Sequence, residues 1–406
     1  MERLMSVIGL IVMITIAYGL STSRKHIKWK TVGTGIGLQI LFAILILKTP
    51  FGMAIFEGAR EAFTGILNYT NEGSKFIFGS LTDVPKIGFI FAFMVLPTII
   101  FMSSLMSVLY HMGLMQKVVE FTAKVMMKIM GTSGAESLSA AANIFVGQTE
   151  APLVVKPFVE KMTNSELMAL MTGGMATVAG GVLAAYVGMG VDAGHLLAAS
   201  VMSAPAALVC AKLMVPETEV SQTEGVVKVD LPKTNANLID AAASGASEGL
   251  TLALNVGAML LAFIALIALL NGMLGWFGGL INVPELSFEF IIGYVFAPFA
   301  FLLGVPWDDC LQVGIMLGKK TVINEFVAYM DLQAAISSGA ISQRAITITT
   351  YALCGFANFS SIAIQLGGIG GLAPKRRHDL AKLGVKSLIG GTLACFMTAA
   401  IAGILI

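Results

Sequence analysis

Apolar runs of membrane-spanning length dominate the chain. A helix that crosses a bilayer needs about 20 mostly apolar residues, and runs of that kind cover Leu4–Leu20 and Val32–Leu47. The first has no small-x-small site at its end, and its basic cluster follows it, so it reads as a retained span and not a cleaved signal. That cluster, Arg24-Lys25-His26-Ile27-Lys28-Trp29-Lys30, is a cytoplasmic anchor by the positive-inside rule and places the N-terminus outside. Met53–Leu67 differs: Glu57, Arg60 and Glu61 recur three to four residues apart, the pattern of an amphipathic helix lying in the interface. Ile87–Leu109 is the third span.

From there the order of elements repeats. The first half runs span 87–109, amphipathic helix 116–130, polar-tipped segment 134–162, span 165–188 and span 195–213. The second runs span 249–271, amphipathic helix 287–303, polar-tipped segment 308–339, span 343–366 and span 384–405. Pro216–Asn237, rich in Glu, Thr and Lys, is the long hydrophilic stretch between them. Gln148 at the first polar tip and Glu325 at the second stand the same interval apart as Ser165 and Ser342, which open the spans that follow. Matching order and register argue for an internal repeat. With the N-terminus outside, Lys117, Lys124, Lys128, Lys156, Lys161, Lys212, Lys228, Lys233, Lys375, Arg376, Arg377, Lys382 and Lys386 all fall inside, whereas 189–194 and 272–286 carry no Lys or Arg. Each polar-tipped segment then enters and leaves on one side as a re-entrant hairpin, the first opening inward and the second outward: inverted topology.

Composition agrees. Of 406 residues 56% are hydrophobic and 12% charged, half the charge of an ordinary soluble domain. The 44 glycines and 24 methionines suit close-packed membrane helices. A net charge of +1 gives no basis for nucleic-acid binding. Cys210, Cys310, Cys354 and Cys395 are far apart, as are His26, His111, His195 and His378, which disfavours a disulfide scaffold and a metal cluster. The fold class is an all-α polytopic membrane protein: about eight transmembrane helices plus two re-entrant hairpins in inverted repeats, with interfacial amphipathic helices.

The hairpin tips hold the residues most costly to bury. Asn143-Ile144-Phe145-Val146-Gly147-Gln148-Thr149-Glu150-Ala151-Pro152 packs polar groups, a glycine and a proline between apolar flanks. Thr321-Val322-Ile323-Asn324-Glu325-Phe326, after Gly318-Lys319-Lys320, is its counterpart. Broken backbone at membrane depth is tolerated where it lines a cavity or is buried in protein, and a carboxylate there marks a functional site. Thr172–Gly181 and Gly355–Ser361 interrupt the following spans at matched positions. Such pairs point to a midplane transport site, where helix N-termini offer N–H donors and freed carbonyls suit Na⁺.

Gly147-Gln148-Thr149-Glu150-Ala151-Pro152, Asn324-Glu325-Phe326 and Gly355-Phe356-Ala357-Asn358-Phe359-Ser360-Ser361 resemble the signature motifs of the concentrative nucleoside transporters, and the likeness extends from about Ile87 to Ile406. The resemblance implies a homotrimer in which each protomer has a scaffold and a mobile transport domain. It implies that the nucleobase meets Gln148, Thr149 and Glu150, that Val182 and Phe356 pack on the base, and that the ribose meets Glu325, Asn358 and Ser361. It also implies a co-transported sodium ion on the side chains of Asn143 and Thr177 and the carbonyls of Val146 and Val178, Thr177 standing where some bacterial relatives have serine. The chemistry is compatible: an ionised carboxylate accepts from a cis-diol, an amide reads a base edge, and neutral oxygens suit an alkali cation.

The expected division is 1–115 scaffold, 116–213 first repeat of the transport domain, 214–237 cytoplasmic linker, 238–286 scaffold span and 287–406 second repeat. The expected function is sodium-coupled import of nucleosides such as uridine across the bacterial inner membrane, with both termini outside and no organic cofactor. Proton coupling through Glu325 or Glu150 is the alternative. An intramembrane enzyme would need a nucleophile–base pair or a carboxylate cluster at depth, and a channel a symmetric filter; the sequence offers neither.

Overall fold

The computed structural model describes residues 1–83, 86, 90–225, 235–283 and 285–406, without the side chains of residues 56, 59, 60 and 63. The side chain of Arg60 and residues Ile87, Lys228 and Lys233 therefore lie outside the described residues. All regular structure among the described residues is helical. The chain opens with α1 (Glu2–Gly19), α2 (Trp29–Lys48) and α3 (Pro50–Phe78). A single turn, Phe91–Met94, leads into α4 (Leu96–His111), followed by the amphipathic α5 (Leu114–Met130).

The first repeat continues with α6 (Gly134–Ala142), the short turns Ala151–Val154 and Lys156–Val159, the broken pair α7 (Asn164–Ala176) and α8 (Gly180–Gly188), and α9 (Ala193–Met214). Next comes α10 (Leu238–Leu280). The second repeat is α11 (Phe288–Leu302), the hairpin α12 (Cys310–Val322) and α13 (Glu325–Ser338), the broken pair α14 (Gln343–Leu353) and α15 (Phe359–Leu372), and α16 (Arg377–Leu405). Among the described residues seven helical segments are long and apolar enough to cross a membrane, and α11 and α15 are shorter apolar helices.

Two elements run longer than the hydrophobic pattern suggests. The interfacial helix expected over Met53–Leu67 spans Pro50–Phe78. Pro50 pre-sets its first turn, the Thr49 hydroxyl accepts from Gly52 N at 3.0 Å, and no breaker follows until Gly79 at φ +58°. The span expected over 249–271 is the 43-residue α10, about 64 Å long at 1.5 Å per residue. Asn237 Oδ1 caps Asp240 N at 2.9 Å, and the alanine-rich start after it propagates the helix back toward the linker.

Burial separates an inner body from outer helices. The apolar windows of α7–α8, α9 and the C-terminal helix are 83%, 89% and 78% buried, against 22% for α1 and 11% for α10. Membrane-facing helices remain apolar on their exposed faces because lipid is no less apolar than leucine. α10 packs along α4 through small residues: a Cβ on Gly249 would stand 2.8 Å from Ile100 Cα, so only glycine admits that approach.

The hairpins are built by local signals. Ser133 opens α6 in a capping box with Glu136. Thr163 opens α7 in another with Glu166. In the second hairpin Asn324 Oδ1 accepts from Val327 N at 2.9 Å and so starts α13. The two broken spans cross at their breaks. Phe356 N donates to Thr177 O at 3.2 Å, and a Cβ on Gly355 would stand 2.6 Å from Cys395 Sγ and 2.9 Å from Met175 O.

At the far end of the first hairpin lies a buried polar cluster. Lys212 Nζ sits 2.5 Å from Glu136 and 3.6 Å from Glu217, and donates to Ser165 Oγ at 2.9 Å. Glu166 accepts from Ser133 Oγ at 2.6 Å and Ser221 Oγ at 2.5 Å. The linker joins in: Gly134 N donates to Thr223 O at 2.8 Å and Ala135 N to Thr223 Oγ1 at 3.1 Å.

Candidate substrate and ion site

The first turn of α15 links the two hairpin tips. Asn358 is its N-cap, accepting from Ser361 N at 2.9 Å and Ser360 Oγ at 2.7 Å, which fixes both side chains. From that turn Asn358 Nδ2 donates to Glu325 Oε2 at 3.0 Å on the second hairpin. Ser361 Oγ accepts from Gln148 Nε2 at 2.9 Å on the first. Glu325, Gln148, Asn358 and Ser361 are all buried. Four of the eight expected substrate residues thus form one network.

The other four surround it less tightly. Thr149 and Glu150 are exposed at the first tip, with Thr149 facing Gly368 of α15 and Glu150 in electrostatic reach of Tyr110 on α4 and Glu248 on α10. Val182 is buried in α8, and Phe356 is half-buried in the break before α15.

Two members of the network were not anticipated. Tyr186, one turn beyond Val182, donates its hydroxyl to Glu325 Oε1 at 2.9 Å and stacks on Tyr329 at 4.2 Å. Gln365, one turn beyond Ser361, donates to Gln148 Oε1 at 3.1 Å and to Met171 O at 3.0 Å, tying the first tip to α7. The spacing of Gln365 from Ser361 places both on one helix face. Tyr186 in an apolar helix carries no such signal.

The first tip touches the α7–α8 break, and the expected ion ligands belong to these two segments. Phe145 O accepts from Gly180 N at 3.1 Å, and Ile144 O from Ser200 Oγ at 2.8 Å. Asn143 Nδ2 donates to Ser139 O at 3.1 Å, while its buried Oδ1 has no hydrogen-bond partner among the described residues. Thr177 Oγ1 donates to Gly173 O at 2.9 Å, which leaves its lone pairs free. No hydrogen bond reaches the carbonyl of Val146 or Val178 among the described residues. A buried oxygen without a donor is costly, and neutral oxygens of this kind fit an alkali cation. Among the described residues no group of three or more His, Cys, Asp or Glu could hold a transition metal.

Comparison with known proteins decides the family. Residues 195–403 match the model of the Na⁺-dependent nucleoside transporter C-terminus, residues 8–81 its N-terminus, and residues 92–193 a nucleoside-recognition gate. The chain belongs to the sodium-dependent, concentrative nucleoside transporters. These are transporters and not enzymes.

Across the family, the chain is 50% identical over 410 residues to the uncharacterized transporter YutK of Bacillus subtilis, covering all of both chains. It is 43% identical to the mouse sodium/nucleoside cotransporter 1, matching over all of this chain and 64% of that one. The solved structure of CNTnw in an inward-facing substrate-bound state shares 46% identity at a TM-score of 0.95, covering 100% of this chain and 98% of that one. A doubly substituted variant of that transporter in an outward-facing state also gives a TM-score of 0.95. Family membership makes the chain an integral membrane transporter, and the all-helical architecture with re-entrant hairpins agrees with those structures.

Proposed function

We propose that the protein is a sodium-coupled symporter that imports nucleosides such as uridine across a bacterial inner membrane by alternating access. The observation that carries this reading is the α15 turn joining the two tips, Gln148 to Ser361 on one side and Asn358 to Glu325 on the other. A ligand held there is read at two ends. Gln148, with Thr149 and Glu150, faces the base, on which Val182 and Phe356 pack. Glu325, Asn358 and Ser361 bind the ribose hydroxyls, the carboxylate accepting from the diol.

Sodium binds to Asn143 and Thr177 with the carbonyls of Val146 and Val178. Support for an ion comes from the orphaned Asn143 oxygen and from the family's sodium dependence. Because the ion site and Gln148 share one hairpin tip, an ion that orders the tip also prepares the base-binding side. The transport domain is 116–213 with 287–406 and the scaffold 1–115 with 238–286, joined by the 214–237 linker; the burial of α7–α9 and the C-terminal helix supports that division. The assembly is a homotrimer, with both termini outside.

The test is radiolabelled uridine uptake into proteoliposomes, with sodium replaced by choline. Uptake is expected to need sodium, and Asn143→Ala to weaken sodium dependence more than it changes nucleoside preference. Full uptake in sodium-free buffer driven by a pH gradient would establish proton coupling instead.

A further inference from the structure

Lys320 is the most deeply buried charged side chain among the described residues, at 0% exposure, and no nucleoside or sodium contact above uses it. Its Nζ donates to Ala352 O at 2.7 Å, at the C-terminal end of α14 just before the second break. Glu325 and Cys354 lie within its electrostatic reach. The interval that relates Gln148 to Glu325 and Ser165 to Ser342 also relates Asn143 to Lys320 and Thr177 to Cys354. The second-repeat counterparts of the two side-chain ion ligands are thus an ammonium and a thiol, and they lie together.

A carbonyl at the C-terminal end of a half-helix carries partial negative charge and attracts a cation. In the first repeat, neutral oxygens leave that role to an ion from solution. In the second, a thiol is a poor ligand for an alkali ion, and a positive charge is already attached to the chain. An ammonium without a partner at this depth would cost several kcal/mol, so the carbonyl and the nearby Glu325 account for its retention.

We propose that the Lys320 ammonium is a built-in cation of the second repeat, standing in the register of the ion ligand Asn143 and held on Ala352 O, the register counterpart of Met175 O. This rests on the sodium reading of the Asn143 site. One hairpin then closes on an exchangeable ion and the other on a fixed charge. Coupling is therefore to a single sodium, and Glu325 has its counter-charge on the chain itself.

The test measures the sodium-to-uridine ratio from reversal potentials in proteoliposomes holding the purified full chain. Wild type is expected to carry one sodium per uridine. Lys320→Met keeps the volume and removes the charge, and is expected to weaken uridine binding by roughly tenfold or more. A wild-type ratio of two overturns the proposal even where the variant does not fold. Wild-type uridine affinity and ratio in folded Lys320→Met overturn it as well. Wild-type uptake that ignores sodium removes the sodium reading itself, a result distinguishable from either.

Discussion

Glu325 accepts hydrogen bonds from a phenol at 2.9 Å and a carboxamide at 3.0 Å, which fix the orientation of its two oxygens. Glu325→Gln turns one acceptor into a donor that faces Tyr186 or Asn358. A hydrogen bond lost from a charged group costs about 1.5–3 kcal/mol, so nucleoside affinity should fall about ten- to a hundredfold. Competition against labelled uridine by uracil and 2′,3′-dideoxyuridine completes the test: both should compete poorly with wild type, and uracil equal to uridine would remove the ribose role. The sequence singled out Glu325 and Gln148 because a carboxylate or amide between apolar flanks is anomalous. Tyr186 stayed hidden because an aromatic in an apolar helix looks like core. Lys320 was visible only as one basic residue of a pair, since nothing in the flanking pattern shows that its head is fully buried.

At the scale of elements, the breaks matter as much as the helices. Gly355 sits at φ +155° where the two unwound segments cross, with Met175 O and Cys395 Sγ too near for any side chain. Gly355→Ala should therefore destabilise the protein by about 1–3 kcal/mol through overpacking. Gly367→Ala, in mid-helix with nothing within 4 Å, should be neutral or slightly stabilising. Thermal unfolding in detergent separates the two, and equal melting points would mean that the crossing is not tightly packed. Both breaks were legible as glycine- and serine-rich interruptions at matched positions. The ends of α3 and α10 were not, because hydropathy reports where a helix meets lipid and not where its hydrogen bonding stops. Asn237 and Gly79 set those ends, by a side-chain cap and a left-handed turn.

Over the whole molecule, the Lys212 cluster ties the base of the first hairpin to α7, α9 and the linker. Removing one partner of a buried ion pair costs about 3–5 kcal/mol, because the other is left uncompensated. Lys212→Met should therefore lower the melting temperature clearly, and adding Glu136→Gln should recover part of the loss. A double variant no better than the single one would show that the pair is not the unit of stability. The cluster was illegible beforehand because its members are scattered from Ser133 to Thr223 and converge only in the fold. Its hold on the linker also has a mechanical meaning. The linker stays fastened to the inner body as far as Thr223, well past the end of α9. A pull on the chain beyond Thr223 therefore loads the start of α6 through the Gly134 and Ala135 bonds, and not the last turn of α9.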